Sequence, residues 1–279
     1  MDPIWYLGPT GDLRALTCPE TGVGLNVVRF GGSHQGLSGS NTTDITGHRQ
    51  TFDFSYNYIE EEEYRWLEAM HLRLVRGPFR LINPLKRNRL TPEASFAKLG
   101  GGTAQGMTFT LGIGSREWAW PSTISYVGGM STRWFVRTNT GVWRMDEKKK
   151  TTVFPGEEIT GSIWMKTALN PVTVPILFDW YDINGTQTSS TQVACNVTNV
   201  WTRFSITRTV PVGISRAVFA GFTTNTTESI DLAAAQLEQG PTATEWQIGG
   251  GAPVVNVDQL SNVSPYFPMT NCTLSLLET

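Results

Sequence analysis

Few residues of this 279-residue chain are spaced for catalysis. The three histidines, His34, His48 and His71, stand far apart, and none has a second histidine four residues away to form a helical metal pair. His71 falls in a helical pattern and reads as a packing or surface residue. His34 and His48 flank a Gly/Ser-rich stretch and read as solvated loop side chains. Ser33-His34 invites a hydrolase reading, but Gly31-Gly32-Ser33-His34-Gln35 does not match the Gly-x-Ser-x-Gly elbow of a nucleophilic serine. No glycine pattern for cradling phosphates occurs. Glu60 to Glu63 have the density of a metal cluster, yet their place at a helix start, where the macrodipole favours negative charge, explains them without a metal. Asp179 and Asp182 could serve as glycosidase carboxylates, a chemistry that needs two of them about 5–9 Å apart across a cleft. Cys18, Cys195 and Cys272 lack a Cys-x-x-Cys spacing and read as buried, reduced thiols. The expectation is a protein with no catalytic residue, no metal and no cofactor, and not an enzyme.

Binding offers more candidates. Sugars are held by flat aromatic faces with polar groups that orient them, and the chain has ten tryptophans and 11% aromatic residues. On a strand at 159–166, Ile159, Gly161, Ile163 and Met165 make an apolar face, which puts Trp164 with Thr160, Ser162 and Lys166 on the other. Trp118, Trp120, Trp134, Trp143, Trp180 and Tyr181 are further candidates, with a place in a core as the competing reading. Trp164, Trp180 and Tyr181 are carried forward as the candidate carbohydrate-binding residues. No run of oxygen ligands calls for calcium.

The elements that must position these residues follow from texture. Charged residues are 16%, the net charge is −2, and no basic stripe marks a nucleic-acid surface. No run of 18 apolar residues is present, and Met1-Asp2-Pro3-Ile4-Trp5 has no basic segment leading into an apolar core, so neither a membrane span nor a secretory signal is expected. A strand is predicted at 22–30, with Leu25, Val27 and Arg29 on one face, and a long loop at 31–47. Clean alternation at 49–58 puts Phe52, Phe54, Tyr56 and Tyr58 on one buried face. The period then changes to that of a helix, with Tyr64, Leu67, Met70 and Leu74 as its stripe and Gly77-Pro78 as its stop, before a strand at 79–82. Residues 83–93, basic and with two prolines, read as a connector. From there strands recur at 132–137, 158–166, 173–181, 201–210 and 216–224, with Asn184-Gly185 as a tight turn, the texture of a β-sandwich. Gly100-Gly101-Gly102 and Gly249-Gly250-Gly251 bracket this block as flexible joints. The simple inference is an insertion, with 1–94 and 249–279 forming one domain and 95–248 the other.

Two stretches resemble known families. Phe52-Asp53-Phe54 through Glu61-Glu62-Glu63-Tyr64-Arg65-Trp66-Leu67-Glu68-Ala69, followed by Arg76-Gly77-Pro78-Phe79-Arg80-Leu81-Ile82-Asn83-Pro84, resembles minor tail proteins of phages that infect actinobacteria and their relatives. Its strand–helix–strand unit is similar to the tail-tube-like fold of distal tail proteins, and Leu274 to Glu278 resembles the strand that closes that domain after an insertion. The close Gln236-Leu237-Glu238-Gln239-Gly240-Pro241-Thr242-Ala243-Thr244-Glu245-Trp246, with Phe154-Pro155-Gly156 before an earlier strand, resembles carbohydrate-binding-module-like jelly rolls of phage tail proteins. These resemblances imply a mainly β chain: a tail-tube-like β-sandwich or split barrel with one packed helix, plus a jelly-roll β-sandwich. They imply a virion tail component, a distal or minor tail protein at the tail tip or baseplate. Its partners would be itself, as a hexameric ring, the tail tube protein, the tape measure protein and other tail-tip proteins. A host-surface glycan is a further expected partner, and DNA would be only cargo in the channel. A stand-alone carbohydrate-binding protein and a cell-wall-degrading tail enzyme are the alternatives.

Overall fold

A computed structural model describes residues 4–20, 22–44, 46–100, 106–110, 116–119, 131–135, 140–224 and 228–279. Gly101, Gly102, Trp120 and residues 136–137 of the strand expected at 132–137 lie outside the described residues. The fold is mainly β, and the chain divides into two compact units, Met1–Leu81 with Val254–Thr279, and Ile82–Pro253.

The first unit is built on a seven-stranded sheet. In order across the sheet, its strands are Arg14–Ala15, Tyr6–Pro9, Phe79–Ile82, Val254–Tyr266, Met269–Glu278, Gly47–Glu60 and Val23–Phe30. Both ends of the chain therefore enter one sheet. Cys272 lies opposite Tyr56, Leu274 opposite Phe54 and Leu276 opposite Phe52. All six side chains are at most 3% exposed, because a shared register gives both strands the same inward parity. Trp66, Leu67 and Met70 of the helix Glu61–His71 join this core, as do Trp5 and Leu7.

Three sequence expectations need correction here. Tyr58 is 54% exposed, not buried with Phe52, Phe54 and Tyr56. Its backbone takes a φ of 61°, the pairing with the last strand shifts between Thr270 and Cys272, and Ile59 turns inward in its place. The helix stops at His71, so Leu74 leaves the apolar stripe and is 76% exposed. Arg73, at φ 59°, makes the left-handed exit, and Leu74 N–H reaches back to the Ala69 carbonyl at 2.9 Å. Residues 31–47 are not an irregular loop. Ser33–Gln35 pairs with Asn41–Thr43, and Asp44 N–H to Gly32 O (2.9 Å) and Thr46 N–H to Phe30 O (2.8 Å) carry the ladder back to the main sheet. Glycine, serine and asparagine suit a turn-rich hairpin as well as a loop, so composition alone did not separate them.

The second unit is a jelly-roll β-sandwich. One sheet runs Thr202–Thr209, Glu158–Thr167, Ser229–Gln239, Ser131–Phe135, Arg116–Ala119. The other runs Gln187–Val197, Val172–Tyr181, Arg216–Thr224, Thr140–Met145, Met107–Thr110, with Thr151–Thr152 pairing the Arg216–Thr224 strand off that path. Trp143, Phe178, Trp180 and Phe219 fill the space between the sheets, with Ile159, Ile163 and Met165 facing them. Gly161 and Gly221 make room for these rings. A Cβ on Gly161 would sit 2.8 Å from the Phe219 ring, and one on Gly221 would sit 2.5 Å from Trp143.

Residues 82–94 pack in this unit and not, as the sequence suggested, in the first. The cause is hydrogen bonding that a basic, proline-bearing stretch does not advertise. Asn88, fully buried, accepts from the N–H groups of Leu90 (3.2 Å) and Leu237 (3.1 Å) and donates to the carbonyls of Ala235 (3.0 Å) and Gln247 (2.8 Å). Arg89 forms a two-pronged pair with Glu157, at 2.7 and 3.0 Å, both side chains being about 95% buried. Nor is Gly249-Gly250-Gly251 a loose joint. It lies against the incoming segment, with Gly250 N–H on Leu90 O (2.6 Å) and Gly251 N–H on Asn88 O (2.9 Å). A Cβ on Gly249 or Gly251 would lie 2.3 Å from a backbone oxygen, so glycine here serves close approach.

The Gln236-Leu237-Glu238 close also has a structural explanation. Glu238 accepts from Thr244 N–H (2.8 Å) and Thr244 hydroxyl (2.6 Å), while Gln236 accepts from Gln247 N–H (2.8 Å) and donates to Glu238 (2.7 Å). Trp246 donates its indole N–H to Ala235 O at 3.2 Å. The motif straps residues 240–247 over the outer face of the sheet.

Candidate functional site

In the first unit the exposed feature is the edge strand Val23–Phe30. It pairs on one side with Gly47–Glu60 and ends the sheet on the other. Leu25 and Val27 on one face, and Val28 and Phe30 on the other, are between 41% and 63% exposed. Beyond it the hairpin 31–46 carries Leu37 at its turn with its side chain fully in solvent. Across this hairpin His34 Nε2 lies 3.5 Å from Asp44, both largely exposed.

In the sandwich the three candidate residues fall in three different environments. Trp180 is fully buried, its indole N–H donated to Thr191 Oγ1 at 3.1 Å and its ring against Phe178, so its face is spent on the core. That corrects its place among the binding candidates: 173–181 alternates with Val174, Ile176, Phe178 and Trp180 inward. Tyr181 points to the opposite face but is only 8% exposed, with Lys150 Nζ 4.8 Å from the ring centroid. Burial, followed by the neighbouring Asp179 carboxylate, holds its phenol above the usual tyrosine range. Asp179 is itself occupied: it accepts from Arg144 (3.2 Å), Gln187 (2.8 Å) and Ser190 (2.6 Å). Asp182 caps the turn at Gly185 by accepting from Thr186 N–H (2.8 Å). Both carboxylates, considered above for glycoside hydrolysis, carry structural bonds.

Trp164 is half-buried on the outer face of the five-stranded sheet, opposite Arg203 on one neighbour and Ala233 on the other. The expected face partition holds, since Ile159, Ile163 and Met165 are fully buried inward. Thr160 and Ser162 share the face of Trp164, yet they are also fully buried, because the 240–247 strap covers that end. What stays open is the other end: Trp164, Lys166 and Trp201, with Lys166 Nζ 5.5 Å from the Trp201 ring and Arg133 paired to the buried Asp231 at 2.8 Å. Trp201 was not singled out from sequence. The signal was there, since Trp201 continues the alternation of 203, 205 and 207 just before the strand Thr202–Thr209, but its register against Trp164 was not.

Among the described residues no group of histidine, cysteine, aspartate or glutamate is placed to hold a metal ion, and no helix is long and apolar enough to cross a membrane. Asp146 is buried and bound by Thr91 and Gly106, and its burial raises its carboxyl above the ordinary range. Cys195 and Cys272 are buried, whereas Cys18 is exposed, contrary to the reading of three buried thiols.

No family model matches the chain, and no curated protein matches it. Solved structures with a similar β-sandwich include the enzymatically active domain of bacteriophage CBA120 tailspike protein 4, at 15% identity and a TM-score of 0.42, covering 55% of this chain and 21% of that one. The CBM22-1–GH10 modules of Clostridium thermocellum xylanase 10B match at 13% identity and a TM-score of 0.43, covering 58% and 30%. The CBM22-1 xylan-binding domain of Paenibacillus barcinonensis Xyn10C matches at 18% identity and a TM-score of 0.40, covering 54% and 94%. The chain thus spans about a fifth of the tailspike chain and under a third of the xylanase chain.

Proposed function

We propose that the chain is a structural protein of a bacteriophage tail, a distal or minor tail component, whose first unit joins copies of itself into a ring and whose sandwich serves tail assembly or adhesion to a host-surface glycan. The observation that carries this reading is the edge strand. Eight residues, about 26 Å of backbone at about 3.3 Å each, end the sheet with apolar side chains exposed on both faces. Val-Gly-Leu-Asn-Val-Val-Arg-Phe contains no proline, and Arg29 near its end is its single charge. Chains that keep such an edge solitary guard it, and an unguarded one is a template for a further strand. A head-to-tail contact through it closes into a ring when the rotation permits. The sequence resemblance supplies the setting: tail tube and tape measure proteins as neighbours, with DNA passing through the channel. Sedimentation velocity tests it. The wild-type chain should form an assembly, with six times the 30.8 kDa chain mass as the expected closed form. Leu25→Lys with Val27→Lys should abolish it while leaving the fold intact. A monomer at every concentration would overturn the reading.

A second reading, a carbohydrate-binding protein, is favoured by one observation, the partly exposed Trp164 and Trp201 beside Lys166. Glycan affinity lost in Trp164→Ala, in a chain that never assembles, would select it.

A further inference from the structure

The two ends of the helix Glu61–His71 carry opposite surplus charge, each beside a recess. Past its C-terminus a recess of about 480 Å³ is lined by Arg73, Arg76, Gly77, Pro78, Phe79, Asn256 and Thr279. Neither arginine has an ion-pair partner among the described residues, and both are exposed. Leu72 and Leu74 beside them are 59% and 76% exposed. Along the helix, about 16 Å away at about 1.5 Å per residue, a second recess of about 260 Å³ lies between the helix start and the hairpin formed by the last two strands. It is lined by Glu61, Tyr64, Arg65 and Glu68 with Phe267, which is 79% exposed.

Local needs do not use up these charges. A helix terminus presents only about half an elementary charge. At the N-terminal end, Glu63 accepts from Thr17 N–H and hydroxyl, and Glu61 pairs with Arg65. Glu60, Glu62 and Glu68 remain as surplus negative charge. At the C-terminal end two guanidinium groups face a demand of about half a charge. Each patch also exposes apolar surface, Leu72 and Leu74 at one end and Phe267 at the other, the pairing of apolar centre and polar rim that protein interfaces use.

We infer that these patches bind each other between copies of this chain: the acidic helix start of one copy docks at the Arg73–Arg76 recess of the next. This rests on the proposed self-assembly and adds a second contact to the strand edge. Because the two patches differ, the contact is heterologous and propagates head to tail. Opposite charge across such a contact sets orientation and rejects like-facing pairs.

The test is sedimentation velocity on the full chain with two sets of charge reversals, Arg73→Glu/Arg76→Glu and Glu60→Arg/Glu62→Arg/Glu68→Arg. Each alone should weaken assembly by at least about tenfold, because like charges then face each other. An equimolar mixture should restore wild-type assembly, since one variant is acidic at both ends and the other basic at both. A misfolded variant cannot be rescued in this way, so restoration also certifies the fold. Arg73→Lys/Arg76→Lys should assemble like wild type. Charge-reversed variants that assemble normally, or a mixture that does not recover, would overturn this inference. If the Leu25→Lys/Val27→Lys variant fails at the same time, the ring reading still stands on its strand edge. A wild-type chain that never assembles would overturn both.

Discussion

Asn88→Ala should be among the most destabilising single changes in the sandwich, although the residue lies in a stretch that reads as a polar connector. The wild-type side chain is fully buried and uses both ends: its oxygen takes two N–H groups and its nitrogen serves two carbonyls. Alanine removes all four bonds, but not all four losses count equally. Ala235 O keeps the Trp246 indole N–H, and exposed Gln247 can turn to water. The N–H groups of Leu90 and Leu237 belong to fully buried residues and have no such recourse. A stranded buried donor costs about 1–3 kcal/mol, so the pair sums to about 3 kcal/mol. For a domain of this size that corresponds to a fall in melting temperature of about 6–12 °C. Denaturant unfolding followed by tryptophan fluorescence reads it directly, with the exposed Asn196→Ala as a control expected within about 0.5 kcal/mol. A loss below about 1 kcal/mol for Asn88→Ala would refute the claim that this segment is fastened into the sandwich.

Arg89→Met should cost about 3–5 kcal/mol by leaving Glu157 charged and unpaired in the interior, measured by the same unfolding curves. Trp180→Ala should destabilise by about 3–5 kcal/mol as a core deletion, whereas Trp164→Ala should change stability little and affect any glycan affinity instead. A thiol reagent at neutral pH should label Cys18 alone, with Cys195 and Cys272 reacting only after denaturation. Burial pushes those two thiols up to about 11 and about 12 from 9.0. Because the folded values are raised, the associated stability is full below about pH 9 and declines as pH climbs through 11 to 12, so alkaline unfolding should soften in Cys272→Ala.

The parts legible in the sequence are those in which one period controls one face. Phe52, Phe54 and Tyr56 declared a buried strand, Leu67 and Met70 a helix, and Leu274 and Leu276 a closing strand that returns to the first unit. The first two follow from alternation and the helical repeat, the return of the last strand was implied by the resemblance and the inferred insertion, and the register that sets Leu274 opposite Phe54 is what the structure adds. The losses have a common cause: a single backbone event shifts the phase. Positive φ at Tyr58 moved the inward position to Ile59, and positive φ at Arg73 cut the helix before Leu74. Glycines misled for a related reason, since Gly249 and Gly251 look the same in a loose linker as in a close crossing of two backbones. Trp180 and Trp164 were not separable by residue type, because which parity faces inward depends on the facing sheet. The Gln236–Glu238–Thr244 network was visible as a motif, but its role as a strap appears only once Thr244 is seen to lie on Glu238.

On the proposed reading, the first unit is a self-joining scaffold built around its free edge. Electron microscopy of the purified chain at high concentration tests this most directly. Closed rings are expected, in which strand Val23–Phe30 continues into the sheet of the neighbouring copy. Isolated monomers, or rings whose contacts leave that strand in solvent, would contradict it.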